Sequence, residues 1–289
     1  MPDTMTDKTP LSVAIITKDE EENLPDCLKS VAFAAQIVIV DSGSRDATLR
    51  IARDFGCDVF EEPWRGGFGA QKQFAIDQCR QPWILVLDAD ERIPEETATV
   101  IKRLTNTDPD GVQARGSSLP ASNSSQGGGS GLGLEGIVSG ATVGYSFPRK
   151  NFFQGRWIRH AGWWPDRLTR LFRRGQGGMS TAPVHEGVEA NGPVAPLNVV
   201  IEHYTESDLG KILQKIERYS TLGAEEAYAK GKRATVSGAA FRAGLTFCQD
   251  YILRLGLLDG PPGLTLAVTD AVNKFFKYAK LAEMGRKNR

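Results

Sequence analysis

The sequence predicts an α/β protein in which a mostly parallel sheet is flanked by helices and followed by a helical C-terminal extension. Three observations carry this expectation. Between residues 11 and 90, short β-branched apolar runs alternate with amphipathic helical stretches. Three of the apolar runs end in polar clusters, Thr17-Lys18-Asp19-Glu20, Asp41-Ser42-Gly43-Ser44 and Asp88-Ala89-Asp90-Glu91. Ligands of open α/β sheets bind there, outside the carboxyl ends of the strands. From Ser207 onward the periodicity turns helical.

Taken in order, strands are expected at Leu11–Ile16, Ile37–Val40, Cys57–Phe60 and Trp83–Leu87. Leu24, Cys27, Leu28 and Val31 fall at i, i+3, i+4, i+7 and mark the first covering helix; Leu49, Ala52 and Phe55 mark the second. From about Gly111 to Gly140 the composition collapses into Ser, Gly, Ala and Pro, as in a mobile insertion. It holds two chance patterns. Gly131-Leu132-Gly133-Leu134-Glu135-Gly136 fits a dinucleotide fingerprint but has no strand before it. Asn123-Ser124-Ser125 is a formal glycosylation sequon without a secretory route. A strand is expected at Thr142–Pro148, then an aromatic and basic stretch from Asn151 to Arg174, then Pro183-Val184-His185-Glu186. Gly256 to Gly263 interrupts the helical region before a last helix at Ala267–Met284. The expected organisation is a disordered 1–10, an α/β domain over 11–205 carrying the insertion at about 111–140, and a helical region over 206–289.

Bulk properties narrow the class. The chain has 289 residues and 40% apolar content, enough for an ordinary core. Lys plus Arg and Asp plus Glu balance at 35 each, so no global field draws it to nucleic acid. The four cysteines are scattered, without metal spacing or disulfide density, and fit reduced thiols in the cytoplasm. Residues 1–10 lack the apolar core of a signal peptide, and no run reaches the roughly 18 to 20 apolar residues of a membrane span. The last helix is basic, with Lys274, Lys277, Lys280, Arg286, Lys287 and Arg289 against Glu283. Two readings of it stand: a helix lying peripherally on the inner face of the cytoplasmic membrane, or a helix packed on its own domain with a solvated basic face.

The strand-end acids suggest a chemistry. Asp88 and Asp90 offer hard oxygen donors to Mg²⁺ or Mn²⁺, which complete their shells with water and phosphate oxygens. A nucleoside diphosphate supplies such oxygens, and the metal then offsets the charge of the leaving diphosphate. Asp41 stands where a carboxylate can accept a base N–H, and Thr17 and Glu20 can reach a ribose or base edge. Ser44 and Asp46 are equally suited to capping the next helix. Lys72 can point at the phosphates or stand exposed.

These residues also carry a resemblance. Thr17-Lys18-Asp19-Glu20-Glu21-Glu22-Asn23, Asp41-Ser42-Gly43-Ser44-Arg45-Asp46-Ala47-Thr48 and the strand Trp83–Arg92 ending in Asp88-Ala89-Asp90-Glu91-Arg92 resemble, in order, the motifs of glycosyltransferase family 2. Asp19 departs from the family's usual Asn. The second half narrows the likeness. Phe147 to His160, Trp164-Pro165-Asp166, Arg170 to Arg174, Val184-His185-Glu186 and Gly256 to Gly260 are similar to the branch containing lipopolysaccharide-core β-1,4-glucosyltransferases. The resemblance implies a GT-A fold, a nucleoside-diphosphate sugar donor, a divalent metal and inversion at the anomeric carbon. The leading expectation is a transferase that moves a hexose, glucose from UDP-glucose, onto an inner-core sugar of a lipid-linked saccharide at the cytoplasmic membrane face.

Inversion by direct displacement requires a base on the acceptor hydroxyl. Glu186 is the first candidate and Asp166 the second, with His185 a further metal ligand or a structural histidine. For Asp166 the alternative is a salt bridge to Arg167 or Arg170. Arg170, Arg173 and Arg174 suit phosphate oxygens, and Trp157, Trp163 and Trp164 suit sugar faces or a core. Competing functions are a polyprenyl-phosphate sugar transferase of the same fold, whose acceptor needs no base; a nucleotidyltransferase, although Thr17–Asn23 lacks a Gly-rich phosphate loop; and a non-catalytic binding module.

Overall fold

The structure is a computed structural model and describes residues 8–107, 142–180, 187–205 and 208–287. The insertion with its two chance patterns, and His185 and Glu186, lie outside the described residues. The chain forms two compact units, Met1–Pro148 with Arg167–Ile201, and Arg149–Asp166 with Glu202–Arg289. The second unit thus includes 149–166 and 202–205, which the sequence groups with the first domain.

In the first unit the four strands expected before residue 90 form, three of them with wider edges and the third shifted by one residue. They are β1 (Thr9–Thr17), β2 (Ala34–Asp41), β3 (Asp58–Glu61) and β4 (Trp83–Asp88). The helices α1 (Leu24–Ser30), α2 (Thr48–Asp54) and α3 (Phe68–Asp77) connect them, and the short β5 (Glu91–Arg92) and α4 (Glu95–Thr107) follow. The later strands are β6 (Gly144–Phe153), β7 (Arg156–Trp157), β8 (Asp166–Arg173), β9 (Gly177–Met179), β10 (Val188–Ala190), β11 (Val194–Pro196) and β12 (Ile201–Tyr204). The sheet runs β3-β2-β1-β4-β8-β6. Its first three pairings are parallel, β8 joins β4 antiparallel, and β11 pairs parallel with the start of β6.

Near-continuous apolar runs explain why these strands are buried on both faces, with successive side chains turned to opposite sides of the sheet. Leu11, Val13 and Ile15 of β1 and Trp83, Leu85 and Leu87 of β4 enter one apolar cluster, which also takes in Leu24, Leu28 and Ile101 from the helices. Ala14, Val38, Ile84 and Val86 face the other way, onto Ala75 and Ile76 of α3. Strand order reverses on either side of β1, because β2 and β4 flank it. The register sets Thr17 beside Asp41 and Ile16 beside Asp88. This topological switch point is where an open sheet presents a ligand crevice.

The second unit contains α5 (Leu209–Ala229), α6 (Val236–Phe247), a π-helical turn (Cys248–Leu253), a 3-10 turn (Gly256–Asp259) and α7 (Gly260–Lys287). Asp208 caps α5 by accepting from the Lys211 N–H at 2.8 Å, and Thr235 caps α6 through the Gly238 N–H at 3.1 Å. The expected interruption at 256–263 is shorter than its glycines suggest. Pro261 and Pro262 occupy the first turn of α7, where proline fits the helix. The glycines are there for close approach instead: a Cβ on Gly263 would sit 2.1 Å from the Gly256 carbonyl oxygen. Leu281 of α7 buries against Ala224 and Ala227 of α5. Lys280 donates to the Glu217 carbonyl at 3.0 Å and to Ser220 and Thr221 at 2.9 and 2.7 Å. Of the two readings of the last helix, packing on its own unit is what these contacts describe.

An open polar cavity of about 460 Å³ lies beside α7, with Asp250, Arg254, Asp270 and Lys274 in its lining. Burial, and secondarily the Asp250 charge, pushes the Asp270 carboxyl up to about 6, against the pull of Lys274 and Arg254. A raised acid holds its proton more tightly in the folded chain than in the unfolded one, where it titrates near ~3.9. Stability therefore falls as pH rises from about 4 to about 6, and the deficit persists above. Asp270→Asn is expected to raise the melting temperature by about 2–4 °C at about pH 7.5, on the order of 1 kcal/mol, and to leave it nearly unchanged at about pH 4. Scanning calorimetry at both pH values checks this; equal shifts at the two would sink the electrostatic assignment.

Candidate functional site

The carboxyl ends of β1, β2 and β4 converge, and their loops hold one another. Asp41 is fully buried. Its Oδ1 accepts the Gly43 and Ser44 N–H groups at 2.9 and 2.7 Å, and its Oδ2 accepts the Thr17 hydroxyl at 2.9 Å and the Ser44 hydroxyl. Gly43 takes φ +88°, which a side chain resists, so the turn needs glycine. In this arrangement Asp41, Thr17 and Ser44 shape the loop that borders the crevice. Asp46 accepts the Thr48 N–H at 3.0 Å and the Glu21 N–H at 3.1 Å. It therefore holds the first amide of α2 from one residue before the N-cap position, which is Ala47.

Asp19 also acquires a reason. It sits at φ +54°, a left-handed conformation that Asn and Asp tolerate better than other side-chain-bearing residues. From there its N–H reaches Ser44 Oγ at 2.8 Å and its carboxylate accepts the Arg45 N–H at 2.7 Å. Glu20, half-buried, receives the Asn23 side-chain amide at 3.0 Å, while its own N–H donates to Thr48 Oγ1 at 2.8 Å. The loops after β1 and β2 thus form one laced rim.

At the end of β4 a charged cluster stands behind that rim. Lys72 Nζ of α3 lies 2.5 Å from Asp88 Oδ1, and Arg170 Nη2 of β8 lies 2.8 Å from Asp88 Oδ2. The same Arg170 nitrogen reaches Glu91 Oε1 at 2.6 Å, and Glu91 Oε2 accepts the Asp88 N–H at 3.0 Å. Glu91 is wholly buried and Arg170 nearly so. Burial alone would push the Asp88 carboxyl up; the Arg170 and Lys72 charges override it and hold Asp88 well below the usual carboxylate range. Burial likewise opposes the Arg170 cation, and the Glu91 and Asp88 charges more than restore it. Lys72 is not an exposed lysine: its side chain is 13% exposed and spent on Asp88. Glu91 is the residue sequence reasoning passed over, although an acid three positions after Asp88 at a strand end signals a turn-closing acceptor.

A divalent ion fits this donor set in one specific way. Asp88 and Asp90 are hard oxygen donors, and among the described residues no group of three His, Cys, Asp or Glu side chains forms a protein-only cage. Mg²⁺ and its relatives bind through one or two carboxylates and complete their shell with phosphate oxygens and water. Arg170 Nε is buried without an acceptor among the described residues. Burial pushes the Cys57 and Cys79 thiols up to about 12 and Cys27 higher still. All four cysteines are free.

The second unit holds a separate cavity of about 420 Å³ lined by Arg149, Asn151, Trp163, Asp166, His203 and Thr205. Asp166 Oδ2 receives Arg149 Nε at 2.9 Å and Nη2 at 2.6 Å. Its partner is therefore neither Arg167, which donates to the Ser146 and Leu197 carbonyls, nor Arg170. His203 Nδ1 stands 2.7 Å from Asn151 Oδ1, a pair that carried no sequence signal. Trp157 packs edge-on against Trp164 beneath Arg159 and Lys150. His160 binds Asp259 at 3.0 Å, and Asp259 also accepts the Arg159 and His160 N–H groups. The late Gly-Leu-Leu-Asp-Gly motif is thus tied to the Arg-Trp-Ile-Arg-His stretch as a structural partner.

Residues 12–119 match the model of Glycosyl transferase family 2. The chain is 32% identical over 285 residues to the lipopolysaccharide core biosynthesis glycosyltransferase LpsC of Rhizobium meliloti, covering 96% of this chain and 93% of that protein. The chain belongs to glycosyltransferase family 2. An uncharacterised glycosyltransferase of Rickettsia typhi is 24% identical across 96% of this chain and 89% of its own length. Among solved structures, S. aureus TarS in complex with UDP-GlcNAc is 13% identical, covers 96% of this chain and 92% of its own, and has a TM-score of 0.43. As a family 2 glycosyltransferase, the chain carries at its switch point the mixed, mostly parallel sheet of the GT-A fold.

Substitution separates the roles of the two cations. Arg170→Met strands the buried Glu91 and is expected to cost about 3–5 kcal/mol, as removal of one partner of a buried ion pair does. Lys72→Met leaves the Glu91 pair intact and is expected to cost less than half as much. Urea denaturation of both variants measures this; equal losses would contradict the assignment of Arg170 as the holder of Glu91.

Proposed function

We propose that this glycosyltransferase is a metal-dependent, inverting hexosyltransferase that moves glucose from UDP-glucose onto a lipid-linked saccharide of the lipopolysaccharide core, at the cytoplasmic face of the membrane. The observation that carries the reading is the carboxylate–cation cluster at the end of β4, in a chain related along nearly its whole length to a core-biosynthesis transferase. Asp90 and Asp88, with His185, are the residues to hold Mg²⁺ or Mn²⁺. When bound, the ion supplies Lewis-acid stabilisation of the departing diphosphate.

The chain's own residues do the rest. Asp88 already meets a cation at each oxygen, so Asp90 is the better direct ligand and Asp88 acts nearer the ribose or through water. Lys72 and Arg170 place positive charge where a diphosphate would lie, and their pairing with Asp88 keeps them fixed before substrate arrives. The Asp41 loop, with Thr17, Ser44 and Glu20, forms the wall for base and ribose. On the acceptor side, Glu186 takes the hydroxyl proton, with Asp166 as the second candidate. Asp166 faces a cavity whose Trp163 ring and Asn151 and His203 polar groups suit a sugar ring. Its bond to Arg149 keeps its carboxylate oriented.

Two experiments test this. Asp90→Asn is expected to remove the gain that Mn²⁺ gives to UDP affinity, read by calorimetric titration with and without the ion; an undiminished gain would refute the metal assignment. Glu186→Gln is expected to lower kcat by about 10²-fold or more with donor affinity preserved. If turnover survives that change and falls instead in Asp166→Asn, the base is Asp166; survival in both variants points to an acceptor that is already ionised, such as a polyprenyl phosphate.

A further inference from the structure

Along α6 and its π-turn, Phe241, Leu245, Cys248 and Ile252 follow the i, i+4, i+7, i+11 spacing that normally faces a core. Here all four face outward: Phe241 is 67% exposed, Leu245 54%, Ile252 51%, and Cys248 is also exposed. The core-facing position of α6 is Ala239 instead. Leu253, which ends the π-turn, is 78% exposed, and the neighbouring 3-10 turn and the start of α7 continue the same character with Leu257, Leu258, Leu264 and Val268 all exposed. An apolar surface of this extent on a folded unit marks a binding surface.

Charge selects the occupant. Between Gly231 and Thr269 the basic side chains are Lys232, Arg233, Arg242 and Arg254, and all are exposed. The acids of this stretch, Asp250 and Asp259, are both buried; Asp250 pairs with Arg254 and Asp259 with His160. Every exposed charged side chain of this stretch is therefore basic, with Arg233 and Arg242 lying over the Tyr228 and Tyr278 rings, and apolar side chains beside basic ones suit the headgroup region of an anionic bilayer. A second copy fits less well, because a two-fold contact would bring together two copies of a stretch whose exposed charges are all positive. Among the described residues no helix is long and apolar enough to cross a membrane.

We propose that the outer face of α6, the π-turn and the 3-10 turn is a docking surface for an anionic lipid bilayer, which holds the enzyme on the membrane where its acceptor resides. The proposal moves the membrane contact away from the basic side of α7, whose Lys280 is engaged with α5. It rests on the reading of a lipid-linked acceptor, yet vesicle binding requires neither donor nor acceptor, so the two readings fail separately.

The test is cosedimentation of the full chain with vesicles of phosphatidylcholine, with and without about one-quarter phosphatidylglycerol. Wild type is expected to partition onto the anionic vesicles and much less onto the neutral ones. Phe241→Ser with Leu253→Ser is expected to lower that partition by roughly tenfold or more, since two large apolar side chains leave the interface. Its melting temperature and UDP affinity stay unchanged, because both side chains stand in solvent. Arg242→Gln is expected to reduce the preference for anionic over neutral vesicles. Partition of the double variant equal to wild type overturns the proposal, as does equal wild-type binding to neutral and anionic vesicles. A wild-type dimer that the double variant dissociates would assign the face to a second copy instead. Should the double variant melt early, Leu253→Ser alone gives the same reading from the most exposed side chain of the patch.

Discussion

The bridge from Arg170 to Asp88 and Glu91 is the interaction on which the site depends. Three charged groups are withdrawn from water at the end of a central strand, and each is tolerable only because the others are present. Glu91, fully buried, also closes the turn after β4 by accepting the Asp88 N–H. That turn sets where Ala89 and Asp90 emerge. Lys72 adds a second cation from α3, so the carboxylate of Asp88 is clamped from a helix and from a strand whose sequence positions are far apart. The cluster couples the antiparallel strand β8 to the parallel part of the sheet exactly where the crevice opens.

The parallel part of the sheet was legible in the sequence because its signals are local. The apolar runs of β1, β2 and β4 and the helical spacing of Leu24, Cys27 and Leu28 each occupy a few consecutive residues, and the polar clusters at the strand ends announce the crevice. What the sequence hides is which charges meet. Lys72 and Asp88, Arg149 and Asp166, and Asn151 and His203 are joined by folding across long stretches of chain, and no spacing rule encodes them. Lys72 reads as exposed because an isolated lysine on a helix usually is; only the position of α3 over the end of β4 covers it. Asp166 reads as a partner of its neighbours Arg167 and Arg170, yet strand alternation turns Arg167 toward the Ser146 and Leu197 carbonyls, and the rise along β8 carries Arg170 away to Asp88.

The motif residues divide by what they touch. Asp41, Thr17, Ser44, Asp19 and Asp46 satisfy backbone and hydroxyl groups of the two rim loops, so much of the motif pattern encodes the shape of a loop. The same holds in the second unit, where Asp259 collects the Arg159 and His160 N–H groups and Gly263 exists to let the Gly256 carbonyl approach. A motif in this chain is therefore often a folding instruction whose product is a rigid edge.

Rigidity has a chemical consequence. A diphosphate gains most from positive charge that is already positioned, since cations that must first be gathered spend part of the interaction on their own ordering. Lys72 and Arg170 are gathered by Asp88 and Glu91 before any ligand arrives. The carboxylates that offset those cations also weaken their pull on an anion, so the cluster trades strength for placement. In the proposed function, a divalent ion recruited through Asp90 would restore the missing charge only when a nucleotide brings the remaining oxygens. On this reading the acids after β4 make tight binding conditional on ion and diphosphate together, which is the selectivity a transferase needs in a compartment full of simpler phosphates.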